Sequence, residues 1–221
     1  RDRRDLCRCR LDHGPHRVEA GIDIDRADHG FQRIGEDGGA AGAAAFQLAL
    51  AEPEAVAEAE VAGDFRRLEN AAEAAVPQSE VRVCYDAEYL YLFYRLPDAE
   101  MDKLKVGAPD DARDVMDFGK DVVEFFLDPG RTRSAYFHFC TTPLGARYDA
   151  RITPDKRREI GVYTPDWGAV PCLDRDHWAV ELRIPFAELA FDGGAVGTPR
   201  PGEEWGVNFC RDQGYRKEWS F

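Results

Sequence analysis

The feature that most constrains this chain is a series of short runs with a two-residue period, each closed by a turn. Trp178 to Ile184 alternates strictly and stops at Pro185, and Trp205 to Cys210 does the same after Pro201-Gly202. Upstream, Val81, Val83 and Tyr85 share one parity, Asp86-Ala87-Glu88 interrupts, and Tyr89 to Leu96 follows before Pro97-Asp98. Two β-rich runs around a short acidic turn predict a hairpin, because successive strand residues point to opposite faces and alternation keeps one face apolar. Asp121 to Leu127 ends at Asp128-Pro129-Gly130, Ala135 to Thr142 ends at Pro143-Leu144-Gly145, and Arg147 to Ile152 is a further short run. Such strands with no βαβ alternation argue against a parallel, helix-covered sheet. They predict an all-β fold, an antiparallel two-sheet β-sandwich of jelly-roll or immunoglobulin-like kind, with one helical turn at Phe186 to Leu189.

This texture begins only near Val76. Residues 1 to about 50 hold no Tyr or Trp and no sustained period, and Gly38 to Ala45 is Gly and Ala alone. A segment of that kind buries too little apolar surface to offset its ordering entropy. Residues 1–64 are therefore expected to be unstructured, a linker, or spurious translation ahead of the true start, with 51–62 readable as a weak helix or a first edge strand. Residues 65–221 are expected to form the sandwich. The opening Arg1-Asp2-Arg3-Arg4 shows neither an initiator Met nor a signal peptide, so the chain is expected to be a fragment. Of 29 basic residues 24 are Arg, a skew that reflects the coding sequence more than the chemistry.

Charge narrows the partners. The net −13 falls almost wholly after residue 50, and so acidic a domain has no general attraction for nucleic acid or anionic membrane. No apolar run reaches the ~20 residues of a membrane-spanning helix. Apart from Cys7 and Cys9, the cysteines at 84, 140, 172 and 210 are isolated, a spacing that argues against a structural zinc site. Cys84, Cys140 and Cys210 sit inside strand-like runs and read as small buried hydrophobes, with disulfides an option in an oxidising compartment. Trp178 and Trp205 share parity with apolar neighbours and read as core aromatics, whereas Trp167 lies in a turn and reads as a rim aromatic or an edge cover. No G-x-S-x-G, H-E-x-x-H, P-loop or dinucleotide fingerprint occurs, so no autonomous enzyme is expected. For a glycosidase carboxyl pair Glu124 and Glu181 are candidates in principle, but both lie in strand framework.

Several pieces, in order, resemble the family 9 carbohydrate-binding modules and their relatives in the DOMON-like β-sandwich group. They are Val81 to Asp86 with Leu90-Tyr91, Asp121 to Pro129, and Tyr136 to Phe139 with Gly145 and Tyr148-Asp149; then come Trp178 to Leu189 and Gly202 to Arg211. The resemblance covers roughly 65–221 and implies a further loop and last strand beyond Phe221. It also implies a binding module in which two aromatic rings clamp the terminal sugar of a plant polysaccharide while polar side chains bond its hydroxyls. Sugar C–H faces pack on aromatics and equatorial hydroxyls need in-plane donors and acceptors, so that combination suits the ligand. In this chain the first ring falls at Phe118, where the family commonly has Trp, and Glu124 matches the acidic position. His138, Asn208 and Arg211 are polar candidates, and the second ring falls at or after Trp219.

A lone Glu on a strand also reads as a solvent-facing residue, His138 as a structural histidine, and Asn208 and Arg211 as a strand-end hydrogen bond and a surface ion pair. By the same resemblance the module is expected to be extracellular or periplasmic, to serve carbohydrate catabolism, and to be linked to a glycoside hydrolase domain. Structural calcium is an option, with oxygen donors in Asp98 to Asp102 or Asp110 to Asp114, although no EF-hand spacing occurs. The alternative reading is a haem b electron-transfer module, for which Met101, Met116, His138 and His177 are the axial candidates.

Overall fold

The computed structural model describes residues 61–107, 112–114, 119–155, 158–200 and 203–221, together with the backbone of two short strands nearer the N-terminus. In chain order the strands are β1 (Gly21–Ile22), β2 (Phe46–Gln47), β3 (Glu80–Tyr85), β4 (Tyr89–Pro97), β5 (Val122–Asp128), β6 (Tyr136–Thr141), β7 (Arg147–Ile152), β8 (Arg158–Ile160), β9 (Gly168–Leu173), β10 (His177–Pro185), β11 (Ala190–Phe191), β12 (Gly194–Ala195), β13 (Gly206–Gln213) and β14 (Glu218–Ser220). One sheet has the order β3-β4-β10-β9 and the other β14-β13-β5-β6-β7-β8, every pairing antiparallel. β1 pairs with β2, and β11 with β12, as separate two-residue ribbons. This is the all-β sandwich that the alternating runs predict.

The core is the set of residues that alternation aims inward. Val81, Val83, Leu90, Leu92, Tyr94, Trp178, Val180 and Leu182 from the smaller sheet meet Val123, Phe125, Leu127, Phe137, Phe139, Val207 and Phe209 from the larger. Phe125 lies between Phe139 and Phe209, with ring centroids 6.3 and 5.6 Å away. Tyr94 crosses from the opposite sheet, edge-on to Phe209, and its hydroxyl donates to the Glu124 carbonyl at 3.1 Å. Burying each large side chain of this set stabilises the fold by roughly 1.5–3 kcal/mol.

Local chemistry closes the hairpins where the sequence breaks its period. The Asp86 carboxylate accepts the backbone N–H groups of Glu88 and Tyr89 at 2.8 and 2.7 Å and the Tyr91 hydroxyl at 2.9 Å, turning β3 into β4. Asp128 does the same after β5, accepting the Arg133 N–H at 2.6 Å. Phe186–Glu188 form the single helical turn after Pro185.

Some expectations change. Ala62 is buried and bridges to Val81, and β1 pairs with β2, so strand pairing also occurs before residue 65. Residues 51–60, read as a weak helix or edge strand, lie outside the described residues. Trp167 is neither a rim aromatic nor an edge cover. It is 2% exposed, its indole N–H donates to Asp149 at 2.7 Å, and its ring packs edge-on against Phe139. The Arg147 guanidinium donates to its carbonyl, and Arg113 joins it at Asp149 at 2.9 Å, so polar partners from distant segments draw this turn into the core.

Candidate functional site

Alternation that fills the core on one side of the larger sheet places a different set of residues on the other. In β5, Val123, Phe125 and Leu127 enter the core, while Val122, Glu124 and Phe126 face outward. The register sets Cys210, Glu124, Cys140 and Tyr148 in one row across β13, β5, β6 and β7, and Asn208, Phe126, His138 and Ala150 in the next. On the far side of the Glu124 row, Asp212 stands between Val122 and Trp219 of the edge strand β14. Glu124, His138, Asn208 and Trp219 thus share this face, whereas Phe118 lies outside the described residues.

Glu124 is the centre of a small polar network. His138 Nε2 lies 2.6 Å from Glu124 Oε2, and the Cys140 Sγ lies 3.6 Å from that oxygen and 3.3 Å from Nε2. The three donor atoms are all within 4.8 Å of one another. Asn208 donates its side-chain N–H to the Cys210 Sγ at 3.4 Å. The His138 ring is held between the Phe126 face, 4.0 Å away and nearly parallel, and the Tyr148 edge at 5.3 Å. Glu124 is 12% exposed and His138 2%, so the carboxylate is the more open member of the pair.

Burial governs the electrostatics. It holds the His138 ring below the usual histidine range, against the pull of Glu124, so the neutral ring is favoured. It pushes the Cys140 thiol well above its ordinary value, with Glu124 adding to the effect, and does the same to Cys210. Asp212 is raised to about 8 by burial and by the neighbouring Glu124, although the Trp219 indole bonds its carboxyl. Cys84 and Cys140 are buried as expected and Cys210 half-buried, but Cys140 is not a mere hydrophobe, because its thiol meets both Glu124 and His138. The signal for that contact is the i, i+2 spacing of His138 and Cys140, which on any strand puts both side chains on one face.

Arg211 goes elsewhere. It alternates with Asn208 and Asp212, lies opposite Val123, and is 1% exposed on the inner side. Its guanidinium donates to the Pro97 carbonyl at 2.9 Å and to Asp98 at 3.3 Å, so it is neither a surface ion pair nor part of the Glu124 face. Asp98 also accepts from Gln213 at 3.3 Å and Tyr215 at 2.6 Å, and Arg216 lies 3.5 Å away. Against the effect of burial, the bonds from Tyr215 and the Glu100 N–H, with Arg211 and Arg216, hold its carboxyl below the usual range. Its oxygens are thereby engaged by side chains of this chain, not left for calcium; Asp110 and Asp111 lie outside the described residues.

Among the described residues the haem candidates do not converge. Met101 packs on the main core while His138 faces the other side of the larger sheet. His177 belongs to the smaller sheet, opposite Pro97, with Asp176 at 2.6 Å, and Met116 lies outside the described residues. A separate cavity of about 240 Å³ sits on the outer face of the smaller sheet, lined in part by Arg82, Tyr91, Glu181 and Arg183. The Glu124 face is the stronger candidate because a carboxylate, an imidazole and a thiol meet there at bonding distance.

Among solved structures, the chain is similar to a proposed carbohydrate-binding protein from Bacteroides uniformis, at 17% identity and a TM-score of 0.53, over 72% of this chain and 76% of that one. Two structures of a family 9 carbohydrate-binding module from Caldicellulosiruptor kristjanssonii align at 15% identity and a TM-score of 0.47. The complex with cellotriose covers 72% of this chain and 67% of that one, and the complex with glucose 75% and 74%. No curated protein matches the chain. The family described as carbohydrate family 9 binding domain-like matches residues 54–216, most of the length. The chain therefore belongs to that family of non-catalytic carbohydrate-binding modules.

Proposed function

We propose that the outer face of the larger sheet binds the terminal sugar of a polysaccharide or oligosaccharide, with Glu124 accepting hydrogen bonds from its hydroxyls. The observation that carries this reading is the partly open Glu124 carboxylate in the middle of the face, with Asn208 on one neighbouring strand and His138 on the other. Trp219 and Phe126, both half-buried, supply apolar ring surface on either side of its row. A few aromatics around convergent polar groups is the composition a sugar needs. Family membership supports the same class of ligand. The finer reading is a plant-type, β-linked glycan end, bound by a module that works outside the cytoplasm and keeps a linked glycoside hydrolase near its substrate.

Isothermal calorimetry against a panel of β-linked glucans, xylans and their oligosaccharides tests the proposal. Measurable heat with at least one soluble sugar, with affinity between about 1 mM and 1 μM and lost in Glu124→Ala, is the expected result. No heat with any member of the panel, or unchanged affinity in Glu124→Ala, overturns it.

A further inference from the structure

Glu124, His138 and Cys140 present three chemically different donors from two adjacent strands to a single point. We propose that this triad binds a borderline-soft divalent transition-metal ion of the zinc type, with Glu124 Oε2, His138 Nε2 and Cys140 Sγ as ligands and a fourth position open toward solvent. This goes beyond the sugar reading and does not depend on it.

Geometry carries the argument. A tetrahedral ion with bonds of about 2.0 Å to oxygen and nitrogen and about 2.3 Å to sulfur separates its donors by about 3.3–3.6 Å. The distances from Cys140 Sγ to His138 Nε2 and to Glu124 Oε2 are 3.3 and 3.6 Å, so two of three edges already stand at that spacing. The third, between Nε2 and Oε2, is a hydrogen bond of 2.6 Å, and replacing its proton by an ion requires a shift well under an ångström. The ring that must not turn is also the best held, between Phe126 and Tyr148. Its Nδ1 has no hydrogen-bond partner among the described residues, so every polar contact of the imidazole points into the triad.

Donor chemistry decides the class of ion. Calcium and magnesium take oxygen ligands, whereas a nitrogen, a sulfur and one carboxylate suit zinc and its neighbours. A carboxylate and a thiolate together also neutralise a divalent charge, which matters at a site where two of three ligands are buried. Three protein ligands leave the fourth position free, as in open rather than closed zinc sites. The partial exposure of Glu124 provides the way in.

Cobalt(II) is the probe, because a thiolate ligand gives it a charge-transfer band in the near ultraviolet and tetrahedral coordination gives strong visible bands. In the full chain, Cys7→Ser, Cys9→Ser and Cys172→Ser together leave Cys84, Cys140 and Cys210 as the thiols in the measurement. Titrating this variant with cobalt(II) after chelator treatment is expected to give both sets of bands at one ion per chain and to lose them on adding zinc. Cys140→Ala should abolish the charge-transfer band. His138→Gln and Glu124→Gln should each weaken cobalt binding by at least the roughly 10–100-fold that loss of an outer-shell partner costs. Cys84→Ala, in the opposite sheet, should change nothing. Absence of a stoichiometric thiolate band, its persistence in Cys140→Ala, or unchanged affinity in both His138→Gln and Glu124→Gln overturns the proposal. The last two variants keep the test decisive if Cys140→Ala does not fold, and none of these readouts requires a sugar.

Discussion

The two faces of the six-stranded sheet are made by the same strands and differ by one residue in register. Inward, Val123, Phe125, Leu127, Phe137, Phe139, Val207 and Phe209 meet the opposite sheet and satisfy one another by shape. Outward, Glu124, His138, Cys140, Asn208 and Asp212 satisfy one another only in part, for His138 Nδ1, Asn208 Oδ1 and Asp212 Oδ2 are buried without partners. Unpaired buried polar atoms cost free energy that an apolar face would not incur. The inner face is mostly apolar, with Arg211 and Thr141 as polar exceptions, whereas the middle of the outer one is a cluster of polar groups, which is where the proposed ligands would bind.

Substitutions on the two faces test that division. Phe125→Ala should cost about 3–5 kcal/mol in denaturant unfolding, whereas Phe126→Ala, one position along and half-buried, should cost about 1–2 kcal/mol. Equal losses would erase the contrast. Arg211→Met, which removes the buried one of the two guanidinium partners of Asp98, should cost about 3 kcal/mol and leave sugar affinity within about twofold; a loss of binding would return Arg211 to the site.

The third test uses pH. Asp212 titrates at about 8 when folded against 3.8 ordinarily, so the folded state keeps a proton that the unfolded chain has released. The stability from this group is complete below about pH 4 and declines as pH rises through 8, making the protein ~2 kcal/mol less stable at pH 8 than at pH 6. Asp212→Asn should flatten that slope in thermal melts, and an unchanged slope would assign it to another group. The smallest expected change is in Glu124→Ala, about 1 kcal/mol of stability, set beside complete loss of sugar binding.

What the sequence makes legible follows from how many sides of a strand are packed. β4, β5, β6, β10 and β13 lie inside their sheets, so their alternation is strong and their positions were readable. β8 and β9 have a neighbouring strand on one side only and β14 is flanked on its outer side by the short segment Arg66 to Leu68, and Arg158-Glu159-Ile160 or Gly168 to Leu173 with its central Pro171 carries little period to detect. Glu124, His138 and Arg211 were site candidates through the family resemblance, and only the register of β5 with β6 sets the first two on one face. Arg211 could not be sorted from them in sequence, since its true partner, Asp98, is 113 residues away. Trp167 was obscured for the same reason, its burial depending on Asp149 and Arg147 rather than on its own turn.

The edges themselves carry a consequence. An exposed strand edge is a template on which another chain can grow, and these sheets offer little to copy. β14 and β8 are three residues long, β9 is broken by a proline that has no N–H to offer, and Val81 in β3 is already bridged to Ala62. Among the described residues, no edge therefore offers a second copy a long, unbroken strand to pair with.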